Sequence, residues 1–109
     1  MKRLIILLAL MFAGQVQAKH CTIKGKVTNM FQYTDGMIFI NVDKSGDCAC
    51  PQKNRMAFHK RDDEKFYMSA ALTALTAGKT VTMVGEDGNG TCPVHSNSAK
   101  IISFNINAN

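Results

Sequence analysis

The chain has 109 residues, with 13 Lys and Arg against 8 Asp and Glu, a formal charge of +5 and four cysteines. That length holds one small domain and no more. The charges are interspersed rather than blocked, and two tyrosines without a tryptophan argue against a nucleic-acid surface.

Residues 1–18, MKRLIILLALMFAGQVQA, begin with basic Lys2 and Arg3 and continue as an apolar run from Leu4 to Ala13. Val16 and Ala18 place small residues at the −3 and −1 positions of a cleavage site, and the run is short for a bilayer span. Together these predict a secretory signal peptide, with no stable membrane insertion after cleavage. No lipobox precedes Cys21. Cleavage would leave 91 residues (109 less 18), starting at Lys19, with 11 basic against 8 acidic residues and a charge of +3. The expected location is the periplasm or the exterior of a Gram-negative bacterium. Cys21, Cys48, Cys50 and Cys92 all fall in the mature part, where an oxidising compartment and a limited core favour two structural disulfides. Four cysteines allow three pairings.

Residues 22–34, TIKGKVTNMFQYT, alternate, with Ile23, Val27, Phe31 and Tyr33 on one parity and Lys24, Lys26, Thr28 and Gln32 on the other, which predicts a half-buried strand. Asp35-Gly36 follows as a tight hairpin turn that accepts positive φ. MIFINV (37–42) is apolar on both faces and predicts a central second strand. After the turn DKSGD (43–47), RMAFHK (55–60) predicts a short third strand. Then the period changes. Asp62, Asp63 and Glu64 suit a helix N-terminus, and Met68, Ala71, Leu72 and Leu75 form a stripe at helical spacing. Gly78 suits a left-handed cap, so the prediction is a helix over 63–77. TVTMVG (80–85) and AKIISFNI (99–106) predict strands four and five, separated by the polar loop 85–98.

Three strands, a helix and two strands make a mainly β chain whose order fits a five-stranded OB-fold barrel with the helix between strands three and four. Met68, Leu72 and Leu75 would then plug one end of the barrel, so that Leu72→Asp should prevent folding. The segment FYMSAALTALTAGKTVTMVGEDGNGTC (66–92), after an exported N-terminus and the hairpin YTDGMIFI (33–40), resembles small secreted proteobacterial OB-fold proteins similar to the binding subunits of subtilase-type and pertussis-type toxins. The resemblance implies a single domain over 19–109 and a homo-oligomeric ring that recognises cell-surface glycans.

In the OB plan all four cysteines approach one end of the barrel. Cys48 and Cys50 are too close in sequence for an unstrained mutual bridge, so each takes a distant partner. Cys21–Cys48 with Cys50–Cys92 is the preferred pairing, and Cys21–Cys50 with Cys48–Cys92 remains open. The competing readings of the Cys-x-Cys pair are a redox dithiol, which lacks a following helix, and a metal clip with His20 and His95. Exported thiols favour neither, so no metal and no cofactor is expected. His20, His59 and His95 form no recognisable triad with a nucleophile, and Asp62, Asp63 and Glu64 read as helix caps, so the chain reads as a non-enzyme. The methionines are scattered as core residues, and Asn89-Gly90-Thr91 reads as a turn.

OB-folds bind ligands through strands two and three and the loops between strands one and two and between four and five. In this chain those loops carry Tyr33, Thr34, Asp35, Glu86, Asn89 and His95, an aromatic ring with polar groups suited to a sugar. The expected function is an exported glycan-binding module. The alternative is a stand-alone periplasmic OB-fold protein that binds a small ligand, a cation or an envelope partner.

Overall fold

The computed structural model describes residues 20–61 and 64–108. The signal peptide expected over 1–18 lies outside the described residues, as do Asp62 and Asp63. In chain order the elements are β1 (His20–Gln32), β2 (Met37–Val42), β3 (Arg55–His59), α1 (Glu64–Ala77), β4 (Thr80–Glu86), a 3-10 turn (Gly88–Gly90) and β5 (Ala99–Ile106). The five strands close into a ring in the order β1-β2-β3-β5-β4. β3 and β5 run parallel through Met56↔Ala99 and Ala57↔Lys100, and every other pairing is antiparallel.

β1 belongs to two neighbours in turn. Its first half, His20 to Lys26, pairs with β4, and its second half pairs with β2. The register against β2 slips between Val27 and Asn29, so Thr28 is the extra residue of a β-bulge. Side chains alternate across a strand, and one inserted residue exchanges the faces. Cys21, Ile23, Gly25 and Val27 are therefore buried inside the ring, whereas beyond the bulge Met30 packs on that inner core and Phe31 joins a cluster on the outer face. The sequence alternation had placed Phe31 and Tyr33 on one face with Ile23 and Val27. The bulge corrects that. A second slip, between Val84 and Gly85 of β4 against β5, puts Ile101 inside and leaves Ile102 exposed.

The inner core is built from Ile23, Ile38, Ile40, Met56, Phe58, Val81 and Met83, all at 2% exposure or less. β2 is apolar on both faces because both are covered. Ile38 and Ile40 point inward, while Phe39 on the outer face joins Ala57 and Val94 in a smaller cluster.

α1 packs on β1 and β5. Ala70, Ala71 and Ala74 form its buried face, with Tyr67 and Met68 packed against the core. Gly78 at φ 66° and the Lys79 N–H to Ala74 O bond (3.0 Å) close the helix with a left-handed cap. Leu72 and Leu75 are exposed at 48% and 37%, so they do not plug the ring as the periodicity implied. Three alanines bring the helix backbone close to the sheet, and the larger leucines rotate outward.

Candidate functional site

Tyr33 to Gly36 join β1 to β2. Tyr33 N–H donates to Met37 O and Gly36 N–H to Tyr33 O, at 2.9 and 3.0 Å. Only Gly36 has positive φ (89°), so this is a longer loop with one left-handed residue rather than a two-residue turn through Asp35 and Gly36. A Cβ at Gly36 would lie 2.9 Å from His59 Nε2, and that ring nitrogen also bonds Asp35 O at 3.0 Å, so close approach as well as φ calls for glycine.

The β4–β5 loop holds Asn89, Cys92, His95 and Ser96, the four non-glycine residues with positive φ among those described. Such backbone costs energy and persists where the surroundings enforce it. Here Cys92 is bonded to Cys50, Val94 is buried, and the Val94–Ser98 turn closes through Val94 N–H to Ser98 O and Ser98 N–H to Val94 O, at 3.2 and 3.0 Å. That turn holds His95 over the β1–β2 hairpin.

The two loops meet at His95 Nε2 and Asp35 Oδ2, 2.7 Å apart. Asp35 Oδ1 accepts the Met37 N–H at 3.0 Å. The hydrogen bond from His95, then that from Met37, hold the Asp35 carboxyl below the usual aspartate range. Behind this pair the rings assemble around Phe39. Phe31, its cross-strand partner, stacks on it at 5.0 Å, and Tyr33 and His95 tilt against it at 5.2 Å each. Tyr33 also lies 5.0 Å from the His95 ring. The Arg55 guanidinium lies 4.7 Å from the Phe39 centroid, while its Nε donates to Ser98 Oγ at 2.8 Å and its Nη2 to Asn97 Oδ1 at 3.2 Å. Arg55 thus ties β3 to the β4–β5 loop.

Of the residues expected from sequence, Tyr33, Asp35 and His95 come together on this outer face, with Thr34 in the same hairpin. Glu86 and Asn89 do not join them. Glu86 ends β4 opposite His20 and Lys100, and Asn89 shapes the 3-10 turn with φ 56°. Phe31, Phe39 and Arg55 belong to the face and were not singled out from sequence. The hairpin register around Asp35 carries a signal for the two phenylalanines, but Arg55 has none that is local.

The face offers a half-exposed tyrosine ring, at 48%, above a buried aromatic floor, flanked by a carboxylate and an imidazole. Both Asp35 oxygens are engaged once, and a carboxylate oxygen retains further acceptor capacity. The site is thus suited to an amphipathic ligand with an apolar patch and hydroxyls.

The disulfides are Cys21–Cys48 and Cys50–Cys92, with Cα separations of 4.9 and 5.7 Å. Cys21, Asp47 and Cys48 approach one another closely enough for a metal. The two sulfurs, however, are bonded to each other, and Asp47 Oδ1 accepts the Thr22 N–H at 2.6 Å, so this is a loop anchor rather than a thiolate ligand set. No protein-family model, curated protein or solved structure matches the chain. The functional reading therefore rests on the geometry of the face itself.

Proposed function

We propose that the closed ring is an OB-fold barrel and that the protein is an exported, non-catalytic module that binds a glycan through Tyr33, Thr34, Asp35 and His95. The strand order, the parallel β3–β5 pair and the position of α1 between β3 and β4 in the chain support the barrel reading. The observation that carries the binding reading is the Asp35–His95 contact. It fastens the β1–β2 and β4–β5 loops, the two that OB-folds use for ligands, beside an exposed aromatic ring. Tyr33 would stack on the apolar face of a sugar, and Asp35 and His95 would bond its hydroxyls. Two disulfides are compatible with an oxidising, exported location.

The test is a glycan array probed with the wild-type protein and with Tyr33→Ala. Binding by the wild type that falls at least tenfold in the variant, with unchanged thermal stability, is the expected result. An array without hits sinks the glycan reading. The toxin-subunit-like version further expects a homo-oligomeric ring in native mass spectrometry, and a strictly monomeric mass would leave the stand-alone periplasmic protein in its place.

A further inference from the structure

We propose that the groove between β1 and the β2–β3 loop binds a phosphate monoester. This site is separate from the aromatic face and does not depend on the glycan reading. The loop leaving β2 grips β1 at two points. At the first, the Lys26 N–H donates to Asp43 Oδ1 at 2.9 Å, and the Asp43 N–H donates to Lys26 O at 3.0 Å. At the second, the Thr22 N–H donates to Asp47 Oδ1 at 2.6 Å, and the Asp47 N–H donates to Thr22 O at 3.3 Å. The Cys21–Cys48 disulfide lies beside this second contact and fixes it. Between the two grips Lys44 packs on β1 at Gly25 and Gly46 packs on it at Thr22 and Ile23, with Ser45 exposed between them.

Lys24 lies on β1 between the two grips. Backbone groups of alternate strand residues point the same way, so the Lys24 N–H and C=O face the loop as those of Thr22 and Lys26 do, and not β4. The Lys24 N–H meets no acceptor among the described residues. Lys24, Lys26, Lys44, Ser45 and Thr80, with the backbone at Gly25 and the carboxylate of Asp43, line an open groove of about 430 Å3 there. Three lysines and one acid thus line the groove, and Oδ1 of that acid already accepts the Lys26 backbone N–H.

The chain supplies its own carboxylate to the N–H groups two residues to either side and leaves the middle one to an outside anion. A phosphate monoester fits better than a carboxylate. Its three free oxygens can accept the Lys24 N–H and two ammonium groups at once, while the neighbouring Lys24 carbonyl can accept from a ligand hydroxyl. A soluble sugar phosphate and a phosphorylated lipid headgroup share this chemistry.

The experiment is a 1H–15N NMR titration of the full mature chain, disulfides intact, with inorganic phosphate, glucose 6-phosphate and glucose at constant ionic strength. It is paired with sedimentation on phosphatidylcholine vesicles with and without phosphatidic acid. The expected result is a saturable shift of the Lys24 amide with both phosphates and not with glucose. Lys24→Gln and Lys44→Gln should each weaken it about fivefold, and Lys100→Gln on β5 should leave it unchanged. Preserved amide dispersion certifies that each variant is folded. Sedimentation that needs phosphatidic acid and is lost in Lys44→Gln assigns the lipid source, and phosphate binding without sedimentation assigns the soluble one. A Lys24 amide that does not move, or one that moves linearly and equally with chloride, overturns the proposal.

Discussion

The carboxylate of Asp87, with no solvent exposure, accepts the N–H of Ala49 at 2.8 Å. Ala49 is the single residue between Cys48 and Cys50, so one buried acid orients the backbone from which two disulfides diverge. The other oxygen of Asp87 accepts the Asn89 N–H at 3.0 Å, and its carbonyl accepts from Gly90 and Cys92 at 3.1 and 2.9 Å. Asp87 therefore joins the Cys-x-Cys segment to the loop that presents His95.

Asp87→Ala removes the shared acceptor of two part-buried hydrogen bonds, from the Ala49 and Asn89 N–H groups, and each bond to a charged acceptor is worth about 1.5–3 kcal/mol. A loss of about 3 kcal/mol is expected, seen as a lower urea midpoint at unchanged slope with the disulfides intact. Asp87→Asn keeps one good acceptor and should lose less. Equal stability of all three proteins would show that the buried acid is dispensable.

The helix offers a paired comparison. Ala71 is fully buried and Leu72 is 48% exposed. Ala71→Asp places an unpaired charge against the inner core and should prevent folding. Leu72→Asp, at the neighbouring position, should change stability by no more than about 1 kcal/mol. Expression yield and thermal melts of the two variants distinguish this orientation from one with Leu72 inward.

Because the His95 hydrogen bond and then the Met37 N–H lower the Asp35 carboxyl, the folded state favours its ionised form. The stabilisation is complete above the unfolded aspartate value of about 3.9 and is lost as pH falls through the lower folded value. Both loops should therefore stay joined through neutral and mildly acidic pH and separate only below about 3.9. Amide exchange at Met37 and contacts between the Tyr33 and His95 rings, followed by NMR on acidification, report the event. Asp35→Asn should remove this acid limb.

Gly46 crosses β1 so closely that a Cβ would lie 2.5 Å from Thr22 O and against the Ile23 side chain. Neither neighbour has room to yield, since Ile23 is fully buried. Gly46→Ala should cost about 1–3 kcal/mol, the usual range for overpacking. Gly78→Ala meets nothing within 4 Å and strains only its φ of 66°, so it should cost less. Thermal melts of the two variants test the order.

Residues with strong period or turn chemistry announced their elements. The alternation of 21–27, the doubly apolar MIFINV and the capped alanine-rich helix are visible in the sequence because each reflects a local rule. Phe31 and Tyr33 were assigned to the wrong face because a bulge is set by pairing with β2, which no feature of Thr28 betrays. Leu72 misled because hydrophobicity ranks leucine above alanine, whereas close approach to the sheet favours Ala70, Ala71 and Ala74. For the face, Tyr33, Asp35 and His95 were accessible as loop residues of suitable chemistry. Their convergence, the separation of Glu86 and Asn89 from them, and the support from Arg55 depend on contacts between residues more than 40 positions apart. Asp87 lies within the polar stretch 85–98, and only its burial distinguishes it from the other loop residues.

The bulge at Thr28 acts as a phase shift between two parts of one strand. Upstream, odd-numbered side chains serve the interior; downstream, they serve the outside. Substitutions in 29–40 can therefore retune what the outer surface recognises, provided residue spacing is kept. Gain or loss of a single residue there would exchange inner and outer side chains together. A lineage diversifying this surface would be expected to preserve the length of that hairpin strictly while its outward residues drift.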